Sequence, residues 1–551
     1  MFFYNLIITL ITLPLIWSND GPIVKTPLGW IKGYYDISSL RKKYEAFEGI
    51  PYAQPPIGNL RFEPPKKVLL WAGNWSATIA SPSCMGFNIF GASNEKVVGV
   101  EDCLYLNLYR PSVRPEKLLS TIVWIHPGPL HFKPFEKYGP KFLMNRAVIY
   151  VELNFRLGPL GFLSTADEII SGNMGLKDQS MALKWLSENI KYFGGDPNKV
   201  TLTGGSGGAS CVHYHMLSPM SAGLFQRAMS FSGAATNQVL QTTDPLKNAK
   251  ILAKNVGCSI DNKLQMVACL KSVPAKSLFQ ALSKFTFWDG FLLYSPFSIV
   301  VEKTSNDAFL DQSPIAIIKK GKINDVPWLV TTTAGEGMFP AGVFFLNDTR
   351  MKSLNDNWKD LIFPLLKMED LVPKIYYHEV AESIRKYYFG SKSISTDTKE
   401  IIEILCGDGI TRYSIERSIR LMSKVMRNPI WFYRYSYRAA GTYCNLITNT
   451  NWTGPCHVDD TLLVVHIPEI FEDVTRPFDL AMQRDLLDVW VSMADYGIPK
   501  VLRMPWRPIS PSDKFLRFLE IKNPGQYHTS FSTNFSNSDF WSSLSINSSF
   551  T

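Results

Sequence analysis

The stretch Val200-Thr201-Leu202-Thr203-Gly204-Gly205-Ser206-Gly207-Gly208 decides the reading of this 551-residue chain. Its first four residues have the β-branched, apolar character of a short buried strand, and the glycines that follow end that pattern at once. A helix-like segment runs from there to Ser218. A serine on a sharp strand-to-helix turn projects its hydroxyl clear of the backbone, and glycines two residues to either side remove Cβ atoms that would clash. Ser206 is therefore the candidate nucleophile. The five-residue pattern is unspecific alone; the strand before it, the helix after it and two partners further along give it weight.

Other short β-branched or aromatic runs end in Gly, Pro or Asn, at residues 120–125, 148–154, 328–333 and 430–437. Between them lie segments of helical period. In residues 178–193, Met181, Leu183, Trp185, Leu186, Ile190 and Phe193 fall largely on one side. Alternating strand and helix predicts an α/β fold, a mostly parallel sheet covered on both faces. Reactive groups in such sheets gather at the carboxyl ends of the strands, which is where Ser206 falls.

Composition narrows the function classes. The chain is 46% hydrophobic, as ordinary globular cores are, and neither a linker nor a repeat interrupts it. Its net charge of +9 is spread among acids and forms no basic run, so nucleic-acid binding is not expected. Residues 2–17 are apolar, early and short, with the small Ser18 behind them, and read as a secretory signal peptide over residues 1–18. A single catalytic domain is expected over residues 19–545, with no second stretch of membrane-spanning length. Eight dispersed cysteines suit disulfides better than a metal cluster, and no pair has zinc-ligand spacing, so neither metal nor cofactor is expected. Asn74, Asn347 and Asn451, together with Asn534 and Asn547, stand in glycosylation sequons, in keeping with secretion.

Longer stretches carry a resemblance that covers nearly the whole mature chain. They are Phe47-Glu48-Gly49-Ile50-Pro51-Tyr52-Ala53, Glu101-Asp102-Cys103-Leu104-Tyr105-Leu106-Asn107, Arg156-Leu157-Gly158-Pro159-Leu160-Gly161-Phe162, Gly172-Asn173-Met174-Gly175-Leu176-Lys177-Asp178-Gln179 and Phe193-Gly194-Gly195-Asp196-Pro197. The chain resembles the type-B carboxylesterases of the cholinesterase superfamily. Gly335-Glu336-Gly337-Met338-Phe339-Pro340-Ala341 and the late Asp539-Phe540-Trp541 make it most similar to insect secreted β-esterases and juvenile-hormone esterases. The resemblance implies an α/β-hydrolase fold and a serine carboxylesterase acting on a small, lipophilic ester.

A serine hydroxyl is a weak nucleophile at neutral pH and needs a base, and the base needs a carboxylate to fix its tautomer. His457, in Gly454-Pro455-Cys456-His457-Val458-Asp459-Asp460, resembles the family's histidine loop and is the expected base. Glu336, flanked by glycines just after the strand at 328–333, is the expected carboxylate, and the order Ser, Glu, His is that of α/β hydrolases. Asp459 and Asp460 are rivals for that role, set too near His457 in sequence to orient its ring easily. His213 and His215, on the helix after Ser206, read as packing residues.

The oxyanion hole departs from the family, which carries His-Gly-Gly-Gly (or Ala last) where this chain has His126-Pro127-Gly128-Pro129. By resemblance the donors are the amides at 128, 129 and 207, and Pro129 has no N–H. Gly128 and Gly207 remain, which implies a slow enzyme or, as the alternative, a ligand-binding protein with impaired turnover. Gly205 stands where many relatives carry Glu, and Gly207 where Ala is common. His131 could line the site or supply a substitute donor. Between Cys84 and Cys103 there is no Trp, unlike the choline-binding loop of cholinesterases. The resemblance implies Cys84–Cys103 and Cys258–Cys269 disulfides. Pairing Cys444 with Cys456 would pin the His457 loop, and Cys211 reads as a buried thiol.

Overall fold

The computed structural model describes residues 21–544, apart from 89–95, 114, 133–134, 136, 287–293, 346–347, 448–451, 471–472, 502–503 and 505. The expected signal peptide and the sequons at Asn347, Asn451 and Asn547 lie outside the described residues, whereas Asn74 is exposed on a short strand.

One eleven-stranded sheet organises the chain. In chain order its strands are β1 (Tyr34–Ile37), β2 (Lys43–Pro51), β3 (Tyr105–Pro111), β4 (Leu119–Ile125), β5 (Ile149–Leu153), β6 (Gly195–Gly205), β7 (Arg227–Phe231), β8 (Trp328–Thr333), β9 (Ile430–Tyr435), β10 (Leu516–Asn523) and β11 (Gln526–Ser532). They lie side by side as β11-β10-β9-β8-β7-β6-β4-β5-β3-β2-β1. The run from β10 to β5 is parallel. The flanking strands pair antiparallel.

The alternation of side chains along these strands builds two cores. Val123 and Ile125 of β4, Val330 of β8 and Phe432 of β9 join one cluster, shared with helix α1 (Met174–Asn189) and helix α2 (Gly207–Leu217). Ile122 and Trp124, Leu329 and Tyr433 face the opposite cluster, covered by Met482, Leu486, Trp490 and Met493 of helix α3 (Pro477–Tyr496). Both faces of the parallel strands are thus dry, which is why β8 is apolar or threonine throughout and reads as a continuous run.

The expected strands are present, the one at 328–333 with its expected bounds and the others with shifted ends. The strand before Ser206 begins at Gly195, and the one expected at 430–437 stops at Tyr435. The helix expected to start at 178 starts at Met174 and is buried nearly all round, so one-sided periodicity misplaced its start. Its charged residues are matched inside the protein: Asp178 accepts two hydrogen bonds from the Arg156 guanidinium, and Lys177 pairs with Glu302 at 2.6 Å.

Sheet order fixes the position of the site. The chain leaves β4 toward β5 on one side and returns as β6 on the other, so the β4–β6 boundary is a topological switch point. The loops leaving these two strands carry His126-Pro127-Gly128-Pro129 and Ser206.

Candidate active site

Ser206 sits at φ 54°, ψ −118° between β6 and α2, a conformation that non-glycine residues adopt only at a cost. Its amide donates to the Phe231 carbonyl of neighbouring β7, which anchors the turn to the sheet. Its Oγ lies 2.7 Å from His457 Nε2, and His457 Nδ1 lies 2.5 Å from Glu336 Oε2. These three residues, separated by up to 251 positions, form one hydrogen-bonded line.

Glu336 is 1% exposed, yet it stays ionised. Burial pushes its pKa up, but the facing His457 and hydrogen bonds from the Thr333 amide and Ser232 outweigh burial and leave it below its ordinary value. Oε1 accepts from Thr333 N at 2.6 Å, Ser232 Oγ at 2.7 Å and Thr332 Oγ1 at 2.8 Å, leaving Oε2 for the imidazole. An acceptor-only carboxylate requires the proton on Nδ1, so Nε2 presents a lone pair to the Ser206 hydroxyl. Such a line can take a proton from the hydroxyl as it attacks and return it to a leaving group.

The Glu336 turn is held from behind by a buried ionic cluster that the sequence did not reveal. Arg412 Nη2 donates to the Ala334 carbonyl at 2.8 Å and to Glu403 Oε1 at 2.9 Å. Glu403 Oε1 also accepts from Gly337 N at 2.9 Å, so both sides of Glu336 are tethered to the same pair. Arg412 ends a turn of π-helix, Gly407–Arg412. No local motif marks Glu403 and Arg412, so far along the chain from Glu336, as supports.

The rival acids serve elsewhere. Asp459 accepts from Thr442 Oγ1, Tyr443 N and Cys456 N, at 2.6, 2.9 and 2.7 Å. Asp460 accepts from Thr331 Oγ1 at 2.6 Å and Tyr433 Oη at 3.0 Å. His213 accepts from Ala235 N, and His215 is set between Ser221 and Gln179. Burial depresses both imidazoles to about 3, so they are neutral packing groups.

At the β4 loop, His126 stacks on Phe155 with centroids 4.6 Å apart. His131 is buried, and its Nδ1 donates to the Pro129 carbonyl at 2.8 Å, which commits that nitrogen to bracing the loop. Gly207 is the first residue of α2, so its amide belongs to those that a helix start leaves without an intrahelical partner. A Cβ added to Gly207 would fall well inside the contact distance of the Gly128 carbonyl oxygen and 3.1 Å from its carbon. At Gly205 the equivalent position is walled by Trp124 and Val458 at 3.3 Å and by Pro127 at 3.7 Å. The loop facing Ser206 thus runs close against its glycines, with Gly128 against Gly207 and Pro127 beside Gly205.

Ser206 and His457 line a small pocket with a cavity volume of about 40 Å³. Val239, Leu240, Tyr294 and Phe339 supply its apolar lining, and Pro129, Gly207, Asn237 and Thr411 line it as well. Among the described residues there is no cluster of His, Cys, Asp and Glu suited to a metal ion, and no helix is long and apolar enough to cross a membrane. The structure contains the Cys84–Cys103 and Cys258–Cys269 disulfides, whereas Cys211, Cys406, Cys444 and Cys456 are buried free thiols, so the suggested Cys444–Cys456 pair is not joined in it.

Comparisons with known proteins identify the family and the fold. Residues 20–541 match the profile of the carboxylesterase family. The chain is 41% identical to a carboxylic ester hydrolase of Bombus ignitus over 537 residues, 96% of each chain. It is 40% identical to venom carboxylesterase-6 of Apis mellifera, again over 96% of both, and 35% identical to juvenile hormone esterase of Tribolium castaneum, over 88% of this chain and 85% of that one. The crystal structure of juvenile hormone esterase from Manduca sexta, with OTFP covalently attached, superimposes with a TM-score of 0.83 at 25% identity, covering 95% of this chain and 99% of that one.

Proposed function

The chain belongs to the carboxylesterase family and is a carboxylic ester hydrolase with the α/β-hydrolase fold; from that premise we propose that it works through an acyl-enzyme intermediate on Ser206. Ser206 Oγ attacks the ester carbonyl carbon while His457 Nε2 takes its proton. His457 then gives that proton to the departing alcohol, and a water molecule, deprotonated by the same nitrogen, releases the acid. Glu336 holds the imidazole in the required tautomer and stabilises its charged form. The observation that carries this reading is the unbroken Ser206–His457–Glu336 hydrogen-bond line.

The oxyanion is held by the amides of Gly128 and Gly207 alone, because Pro129 has no hydrogen to donate. Loss of one such donor costs about 10²- to 10³-fold in turnover, so the enzyme is slow. Its substrate is a lipophilic ester, in keeping with the Val239, Leu240, Tyr294 and Phe339 wall. The chain is secreted after loss of residues 1–18, with Asn74, Asn347 and Asn451 glycosylated. N-terminal sequencing and glycosidase shifts of protein from the culture medium test that part.

The mechanism is tested by a fluorophosphonate probe with adduct mapping, run beside naphthyl-acetate hydrolysis. Adduct on Ser206, turnover, and loss of both in Ser206→Ala are expected. Activity that survives Ser206→Ala overturns the assignment. Pro129 favours one second reading, a ligand-sequestering protein, for which labelling of Ser206 without turnover would be the signature.

A further inference from the structure

We infer that Cys444 and Cys456 form a disulfide that fastens the segment presenting His457 to the short helix Cys444–Ile447. Both residues are buried, at 2% and 0% exposure, and are free thiols whose side chains are neighbours. Their backbones are stitched together by one carboxylate. Asp459 accepts from Cys456 N and Tyr443 N, and from Thr442 Oγ1, which itself accepts from Cys444 N at 3.1 Å. The partners are therefore fixed in register before any covalent bond exists, which is the condition an unstrained disulfide needs. The catalytic imidazole is on the very next residue after Cys456.

The chemistry is two thiol–disulfide exchanges with a small disulfide such as oxidised glutathione. One cysteine thiolate attacks it, forming a mixed disulfide and releasing one glutathione thiolate. The second cysteine then displaces the other, and the two protons lost by the cysteines end on the two released thiols. The small disulfide is reduced and the protein pair oxidised. Burial pushes the Cys456 thiol well up, and the neighbouring Cys444 adds to it, so exchange is slow in the folded protein and pairing belongs to folding. Cys211 and Cys406 are separate buried thiols, with Cys211 pushed up to about 12, and they stay reduced. Occurrence of the bond in vivo rests on the secretion proposed above; its formation in vitro does not.

The test refolds the full chain in glutathione buffers of graded poise, quenches with acid, alkylates the unfolded protein and maps the peptides. In oxidising buffer, alkylation only at Cys211 and Cys406 and a linked Cys444–Cys456 peptide pair are expected. Alkylation of both Cys444 and Cys456 under conditions where Cys84–Cys103 and Cys258–Cys269 are joined would overturn the inference, as would pairing of either with Cys211 or Cys406. Cys444→Ser should expose one new thiol, at Cys456, and lower kcat several-fold at unchanged KM. If that variant does not fold, the peptide map of the unaltered chain decides. Fluorophosphonate labelling of the same samples reads Ser206 independently, so failure of the esterase mechanism and failure of the disulfide are told apart.

Discussion

The carbonyl oxygen of Gly128 occupies the space into which a side chain on Gly207 would project. The two residues proposed as oxyanion donors are thus sterically coupled, and the absence of a methyl at 207 lets the Pro127–Pro129 loop take its path. Gly207→Ala forces the loop to move or the turn to open. Overpacking of this kind costs about 1–3 kcal/mol, and a lower thermal midpoint together with at least roughly a tenfold loss of kcat/KM on an aryl ester is expected. An alanine variant equal to the parent in both would disprove the coupling.

Replacing both prolines acts in the other direction. Pro127→Gly with Pro129→Gly returns an N–H at 129 and frees the loop torsions, and esterase turnover should rise about a hundredfold. Steady-state kcat on naphthyl acetate is the measurement. No increase would mean that the missing donor does not limit the rate.

The Arg412–Glu403 pair supports Glu336 from both sides, through Ala334 O and Gly337 N. Arg412→Met leaves Glu403 buried and unpaired, a change that costs about 3–5 kcal/mol. Arg412→Lys keeps the charge but lacks the fork that reaches Ala334 and Glu403 together. A large fall in thermal midpoint for Met is expected, with a smaller one and reduced kcat for Lys. If Lys matches the parent in kcat, the cluster supports the fold without positioning the Glu336 carboxylate.

Asp460 gives the stability curve a sign. Burial raises its pKa from 3.8 to about 7, hydrogen bonds from Thr331 and Tyr433 opposing this and the charges of Glu336 and Asp459 adding to it. The folded state therefore holds a proton that the unfolded chain gives up near pH 4, so this group's stabilisation is full below pH 4 and is lost as pH rises toward about 7. Asp460→Asn, which can still accept from both hydroxyls, should flatten the pH 4–7 slope of the thermal midpoint. An unchanged slope would assign it to other buried acids, such as Glu152, also raised to about 7.

Much of this was legible in the sequence because it is local. Val200–Thr203 followed by glycines marks a strand breaking into a turn, and the fixed spacing of glycine, serine and glycine marks the elbow. The apolar run of β8 announces a strand buried on both faces, and Gly335-Glu336-Gly337 announces an acid displayed at its end. Such signals depend only on backbone freedom and on which faces of an element meet water. The helix start at Met174 escaped because its buried Lys177 and Asp178 look exposed until Glu302 and Arg156 are brought to them.

What tertiary structure alone decided is which groups meet. The sequence by itself pointed to most of the elements, the sheet class and the three candidate catalytic side chains with their order. Only the folded chain set His457 between Ser206 and Glu336, turned Asp459 and Asp460 to other partners, placed Arg412 and Glu403 behind the Glu336 turn and laid the Gly128 carbonyl against Gly207. The reason is physical. Hydrogen bonds and close contacts act over about 3–4 Å in space, and separation along the chain carries no information about that distance until the sheet order has closed the loops.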